Sequence, residues 1–137
     1  MSLTIGIIRG DGIGPEVMAS ALEVLAAAGF GPGLEMDARL EEMPMGLAVY
    51  RQKGVPLEDE VLERMKGCDA LLLSAVMSPP EPDPGYRSGL LRIRRELDLF
   101  ANLRPARSLP GVPGAVPGAG RSQPRLRIGR PSRRRAP

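Results

Sequence analysis

Four arginines fall between Leu90 and Pro105 in the run LLRIRRELDLFANLRP, and their spacing suits the capture of carboxylates. Leu90, Ile93, Leu97 and Phe100 recur at three-to-four spacing, which predicts a helix that buries one apolar stripe. Arg94 lies at the margin of that stripe, where a guanidinium needs an anion and its planar fork matches a carboxylate bidentately. Arg104, between Asn102 and Pro105, belongs to a following extended segment. Helix and strand could therefore aim two guanidinium groups at one small dianion or trianion. The alternative reading is a solvated helix face, with Arg92, Arg94, Arg95 and Glu96 in local ion pairs.

A second chemical feature stands near the N-terminus. Gly10, Gly12 and Gly14 follow the apolar run LTIGII and precede a helix-forming stretch, giving strand, glycine loop and helix. Such an arrangement invites a dinucleotide-binding reading. Pro15 occupies the place of the third glycine of the usual dinucleotide fingerprint, so that fingerprint is not matched. A tight strand-to-helix turn with no ligand is the other reading.

The elements that must position these residues follow from apolar periodicity. Residues 3–8 read as a buried parallel strand. Pro15 and Glu16 open a helix whose apolar positions are Val17, Ala21, Leu22, Val24 and Leu25, stopped by Gly29. Alternation over residues 34–40 predicts a half-buried second strand. Residues 46–52 predict a short helix ending near Gly54. Pro56 opens another, with Val61, Leu62 and Met65 as its apolar face and Gly67 as its stop. The run ALLLSAV, residues 70–76, is a further buried strand, and the order β-α-β-α-α-β points to an α/β fold with a parallel sheet. Residues 77–87 carry four prolines and form an irregular loop after that strand, where open α/β sheets bind ligands.

Composition sets the bounds. A chain of 137 residues that is 42% hydrophobic has room for one ordinary domain, and with 3% aromatic residues its core must be aliphatic. Cys68 is the one cysteine, so no internal disulfide can form, and it reads as a small apolar residue before a strand in a reducing compartment. No apolar run approaches a membrane span and no signal peptide is recognisable, so a soluble, cytoplasmic protein is expected. Charge divides sharply. Up to residue 103 there are 10 basic and all 16 acidic residues, net −6; from 104 onward there are nine basic and none acidic, net +9. Residues 107–137 lack a sustained period and are expected to be a disordered Arg, Pro and Gly-rich tail, leaving residues 1–106 as the folded part.

Taken together, GDGIGPEV (residues 10–17) and LLRIRRELDLFANLRPA (residues 90–106) resemble the isocitrate and isopropylmalate dehydrogenase family, over about residues 3–114. That resemblance implies the N-terminal part of an isopropylmalate dehydrogenase-like large domain, a partial parallel sheet with flanking helices. It implies oxidative decarboxylation of a 2-hydroxy acid bearing a 3-carboxylate, with NAD or NADP as hydride acceptor and Mg or Mn at the hydroxyl. By the same resemblance Arg94 and Arg104 bind the substrate carboxylates, and Asp11, Gly12, Ile13 and Gly14 lie beside the cofactor. Ser78 takes the place of the small residues that approach the nicotinamide. Ser74 stands where a glycine is usual, and Met77 at an often polar position. Substrate signals divide: Pro84, Gly85, Tyr86 and Ser88 resemble homoisocitrate or isocitrate enzymes, whereas Leu90 and Leu91 match the pair that receives an alkyl group in isopropylmalate enzymes. Arg87 could add a cation or be a loop charge in water.

The family's catalytic tyrosine, lysine and metal-binding aspartates have no matching context in this sequence, so no catalytic or metal-binding residue is assigned, and the 137-residue chain is expected not to turn over substrate. A homodimer is implied only for a full-length family chain. The abrupt change of composition in the tail suggests a shifted reading frame in a GC-rich gene. The alternative function is unspecific binding of nucleic acid or an acidic surface through Arg125, Arg127, Arg130 and residues 133–135. With no aromatic residue after Phe100 to stack on bases, nucleic acid is the less favoured partner.

Overall fold

Val, Ile and Leu runs too short for helices, separated by glycine-terminated helical stretches, can bury themselves only as a parallel sheet covered by helices. A computed structural model describes residues 3–106 and 125–128. The chain divides into two units, Met1–Leu97 and Asp98–Pro137.

In the first unit, β1 (Leu3–Ile8) leads through the glycine loop into α1 (Gly14–Ala27). Then come β2 (Phe30–Gly31), β3 (Met36–Glu42), α2 (Leu47–Lys53), α3 (Asp59–Lys66), β4 (Ala70–Leu73) and α4 (Gly89–Glu96). The sheet order is β2-β3-β1-β4. Every pairing in it is parallel, with Leu3 opposite Ala38 on one side of β1 and Ile5 opposite Ala70 on the other. Successive residues of a strand face opposite sides. Ile8 joins Met43, Met45, Leu57, Val61, Leu62, Met65 and Ile93 in one buried cluster, so α3 and α4 cover its face of the sheet. Ile7, Ala38 and Met18 are buried outside that cluster, which places α1 on the opposite face.

The sequence expectations hold for the α/β class, the parallel sheet and the first strand, and shift elsewhere. β3 begins two residues later than expected, because Leu34 is held in a turn by its N–H to the Gly31 carbonyl at 3.2 Å. The buried stripe of α1 centres on Met18, with Ala21, Leu22 and Leu25 half-buried; Val17 and Val24 face outward. Helix α3 starts at Asp59 after Glu58, not at Pro56, and its Val61, Leu62 and Met65 are buried as expected. The run at residues 70–76 pairs only to Leu73, since β1 ends at Ile8 and a glycine turn follows. The stripe near residue 90 ends early: α4 stops at Glu96, Asp98 takes a φ of 51°, and Phe100 is 70% exposed.

In the second unit, β5 (Leu103–Ala106) pairs antiparallel with β6 (Arg125–Ile128), Leu103 opposite Ile128. The disorder expected for residues 107–137 lies outside the described residues except at Arg125–Ile128, where a strand stands instead. The alternation Arg-Leu-Arg-Ile carries the period of two that such a strand needs, over too few residues to be noticed in the sequence.

Candidate functional site

The chain leaves β1 to form β3 on one side and returns to form β4 on the other, so the strand order reverses between β1 and β4. A crevice at the carboxyl ends of two such strands is the general ligand position of open α/β sheets. Two segments lie at that end of the sheet here: the glycine loop after Ile8 and the segment from Ser74 onward.

Backbone hydrogen bonds carry the two segments together beyond the end of the ladder. The Ser74 N–H donates to the Ile8 carbonyl at 3.0 Å, and the Asp11 N–H donates to the Ala75 carbonyl at 2.8 Å. This approach decides the glycines. A Cβ on Gly10, whose φ is +71°, would lie 1.9 Å from the Ala75 oxygen, and one on Gly14 would lie 2.2 Å from the Arg9 oxygen. Gly12, at φ +57°, is exposed, and a Cβ there would meet only the Met77 sulfur, at 3.2 Å.

Asp11 is the buried acid of the site, 8% exposed. Its Oδ2 accepts the N–H groups of Leu47 at 2.7 Å and Met77 at 2.9 Å, and its Oδ1 accepts that of Ala48 at 2.8 Å. Burial, the largest single influence, pushes the carboxyl pKa up, but the three amide donors and the positive field of Arg51 outweigh it and hold the group below its ordinary value. Gly46, before α2, has a φ of 136°, and a Cβ there would lie 2.3 Å from Oδ2. Neither Gly46 nor the α2 amides were singled out from the sequence. The available signal was a helix that opens after glycine with no Ser, Thr, Asn or Asp to cap it.

The proline-rich loop is tied down separately. The Tyr50 hydroxyl, on α2, donates to Asp83 Oδ2 at 2.7 Å, and its ring meets Tyr86 edge-on at 5.1 Å. Asp83 Oδ1 accepts the Gly85 N–H at 2.8 Å, and the Tyr86 hydroxyl donates to the Met77 carbonyl at 3.3 Å. The bond from Tyr50, then that from Gly85, lowers the Asp83 pKa, and the same carboxylate raises that of Tyr50. Arg87 donates to the carbonyls of Pro84 and Tyr86, so it serves the loop itself.

On α4, Ser88 caps the helix, accepting the Leu91 N–H at 3.4 Å. Leu90 is half-buried and Leu91 is 58% exposed. Arg94 and Arg95 are both exposed, and neither guanidinium has an ion pair or hydrogen bond among the described residues. Arg92 behaves differently from the solvated face expected of it: it donates to the Leu57 carbonyl at 2.9 Å and pairs with Asp59, joining α4 to the start of α3. Arg104 lies on β5 in the second unit, and its side chain lies outside the described residues. So do Arg130 and residues 133–135 of the tail.

The structure thus brings Asp11, Gly12, Ile13, Gly14 and the segment of Ser78 to one end of the sheet, with the carboxylate of Asp11 turned inward and used. Gly12 and Ser78 are exposed, Ile13 is 63% exposed and Met77 48%. This end of the sheet therefore exposes backbone at Gly12 and the apolar side chains of Ile13 and Met77. Among the described residues no three His, Cys, Asp or Glu side chains gather to hold a metal ion. No helix among them is long and apolar enough to cross a membrane.

The fold is that of an open parallel α/β protein whose strand order reverses between β1 and β4. Comparison with known proteins narrows this. Residues 4–121 match the isocitrate/isopropylmalate dehydrogenase family, past the residue 114 at which the resemblance was expected to end. A 3-isopropylmalate dehydrogenase of Mycolicibacterium vanbaalenii is 46% identical over 117 residues, covering 85% of this chain and 33% of that protein. One of Xanthomonas oryzae pv. oryzae is 47% identical over 119 residues, covering 84% and 33%. The crystal structure of an isocitrate dehydrogenase from Methylococcus capsulatus superposes with a TM-score of 0.73 at 27% identity, over 92% of this chain and 34% of that one. That of a β-decarboxylating dehydrogenase from Thermococcus kodakarensis gives 0.65 at 34% identity, over 93% and 41%. The chain belongs to the isocitrate/isopropylmalate dehydrogenase family. It spans about a third of the length of the curated relatives it matches.

Proposed function

We propose that this chain is the N-terminal part of a cytoplasmic, NAD- or NADP-dependent dehydrogenase that oxidatively decarboxylates a 2-hydroxy-3-carboxy acid with Mg or Mn. The isopropylmalate class is favoured, with homoisocitrate and isocitrate as the alternatives. The observation that carries the reading is the 46% identity over 117 residues to a protein named for isopropylmalate. Leu90 and the exposed Leu91 on α4 support an alkyl-bearing substrate, and the free guanidinium of Arg94 suits its carboxylates. Arg104 and Ser88 belong to the same substrate assignment. Gly12, Ile13 and Gly14, with Ser78, are assigned to the cofactor, which accepts the hydride when bound.

The 137-residue chain by itself is proposed to be inactive. Its two tyrosines are engaged, Tyr50 with Asp83 and Tyr86 with the Met77 carbonyl. Its two lysines are engaged as well, Lys53 with Glu58 and Lys66 with Glu63. No tyrosine or lysine stands ready to move the protons this reaction requires. A family homodimer belongs to a chain carrying the remaining segments.

The test is NAD and NADP reduction with isopropylmalate, homoisocitrate and isocitrate plus Mg or Mn, on this chain and on one extended with the C-terminal segments of a relative. Turnover by the extended chain alone, fastest with isopropylmalate, is the expected result. Turnover by the 137-residue chain would overturn the assignment of its tyrosines and lysines, and no turnover by a folded extended chain would overturn the reading as a whole.

A further inference from the structure

We infer that Asp11 is a positioning residue, not a cofactor contact: its side chain ties the segment after β4, through the Met77 N–H, to the glycine loop and the start of α2, so that three segments at this end of the sheet are set by one carboxylate. As an assignment within the proposed dehydrogenase site, it rests on that reading.

Three observations converge on this one residue. Its main chain holds the Ala75 carbonyl at 2.8 Å, and its side chain reaches past that contact to the Met77 N–H at 2.9 Å. The two bonds grip three consecutive residues from both sides, beyond the last rung between β1 and β4. The same carboxylate supplies the cap that α2 lacks, taking the N–H groups of its first two residues, Leu47 and Ala48. Space confirms that the fit is built in. Gly10 and Gly46 both have positive φ, and a Cβ on Gly10 would strike the Ala75 oxygen while one on Gly46 would strike the carboxylate. An acid with three amide donors and 8% exposure has little capacity left for a ligand. Its neighbours Gly12 and Ile13 keep the outward surface.

The clamp couples segments far apart in sequence. Residues 10–14, 47–48 and 75–77 would loosen together when the carboxylate is neutralised, because one group serves all three. The Tyr86 hydroxyl on the Met77 carbonyl is the competing restraint on the last of them. Arg51 of α2 is the charged side chain whose field reaches the acid.

The experiment is amide hydrogen exchange and a pH titration by NMR on the 137-residue chain and its Asp11→Asn variant, with no cofactor present. Failure here is therefore distinct from failure of the dehydrogenase assay. In the variant the amides of Leu47, Ala48 and Met77 should exchange about tenfold faster or more, while Ile7 and Ala38 in the sheet keep their rates. In the parent chain the same three amide resonances should move with one common midpoint, below that of an ordinary aspartate. Faster exchange at Leu47 and Ala48 with Met77 unchanged would overturn the proposal, reducing Asp11 to a helix cap. If the variant does not fold, the parent titration decides: separate midpoints for the three amides would equally overturn it.

Discussion

Replacing Gly10 with Ala should damage the fold far more than the same change at a glycine of nearly identical backbone angle. Gly10 has φ +71° and Gly54 has φ +75°. Left-handed strain is therefore equal at the two sites, about 1–2 kcal/mol for a residue with a Cβ, offset by about 0.4–1 kcal/mol of lost freedom in the unfolded chain. Surroundings separate them. A Cβ on Gly54 meets nothing within 4 Å, whereas one on Gly10 falls 1.9 Å from the Ala75 oxygen. That oxygen is backbone and is already bonded to the Asp11 N–H at 2.8 Å, so relief requires moving the end of β4 or breaking the bond. Overpacking costs about 1–3 kcal/mol and the lost hydrogen bond about 1 kcal/mol. Gly54→Ala should thus cost about 1 kcal/mol and Gly10→Ala about 3–5 kcal/mol by these ranges. Urea unfolding followed by circular dichroism gives both values at constant slope. Equal losses would refute the reasoning, since they would mean that φ alone, and not the contact between loop and strand, makes Gly10 a glycine.

Other perturbations test other parts of the structure. Met65→Ala, at 1% exposure in the cluster shared by β1, α3 and α4, should cost about 2–5 kcal/mol in the same denaturation experiment. Arg92→Ala should cost about 1 kcal/mol through the bond to the Leu57 carbonyl, with little loss in high salt because the Asp59 pair is exposed. The folded pKa of Asp11 is depressed, so its stabilising contribution is complete above the unfolded value of about 3.9 and is lost as pH falls through the folded value. Stability measured from pH 7 downward should therefore fall in that acid range in the parent chain and less steeply in Asp11→Asn. In a chain extended to family length, Arg94→Ala should raise the substrate KM by about tenfold or more, and Arg95→Ala by much less; equal effects would show that the wrong guanidinium was assigned.

What the sequence disclosed and what it withheld divide along the range of the forces. β1 and α1 were legible because their signals are local: an apolar run, Pro15 at the first turn, Gly29 after the last. Glycine at the end of α2 was legible for the same reason, and Gly54 takes the left-handed C-cap that such a helix end favours. Residues whose state depends on a distant partner were misread. Arg92 reads as a surface charge until Leu57 and Asp59, more than thirty positions earlier, are found beside it. Phe100 fits the helical spacing from Leu90, yet the chain turns at Asp98 before the phase can reach it. The strand at Met36–Glu42 was placed two residues early, because its register is fixed by pairing with β1 and not by its own alternation.

Asp11 is the sharpest case, because the sequence singles out the acid but not the three amides that it holds. An acid between two glycines at the end of a buried strand invites a ligand, and the motif that contains it does mark a family of enzymes. Yet each feature of the motif has a reason inside the chain: Gly10 for the Ala75 carbonyl, Gly14 for the Arg9 carbonyl, and the acid for three amides. Gly12 is the exception. Its φ of +57° needs glycine, but the space beside it is open apart from Met77. A loop whose buried members are all spent on packing and whose exposed members are Gly12 and Ile13 presents backbone and an apolar side chain outward, and no charge. Such a surface offers no group that moves a proton, so in the proposed reaction that work falls to residues outside the glycine loop.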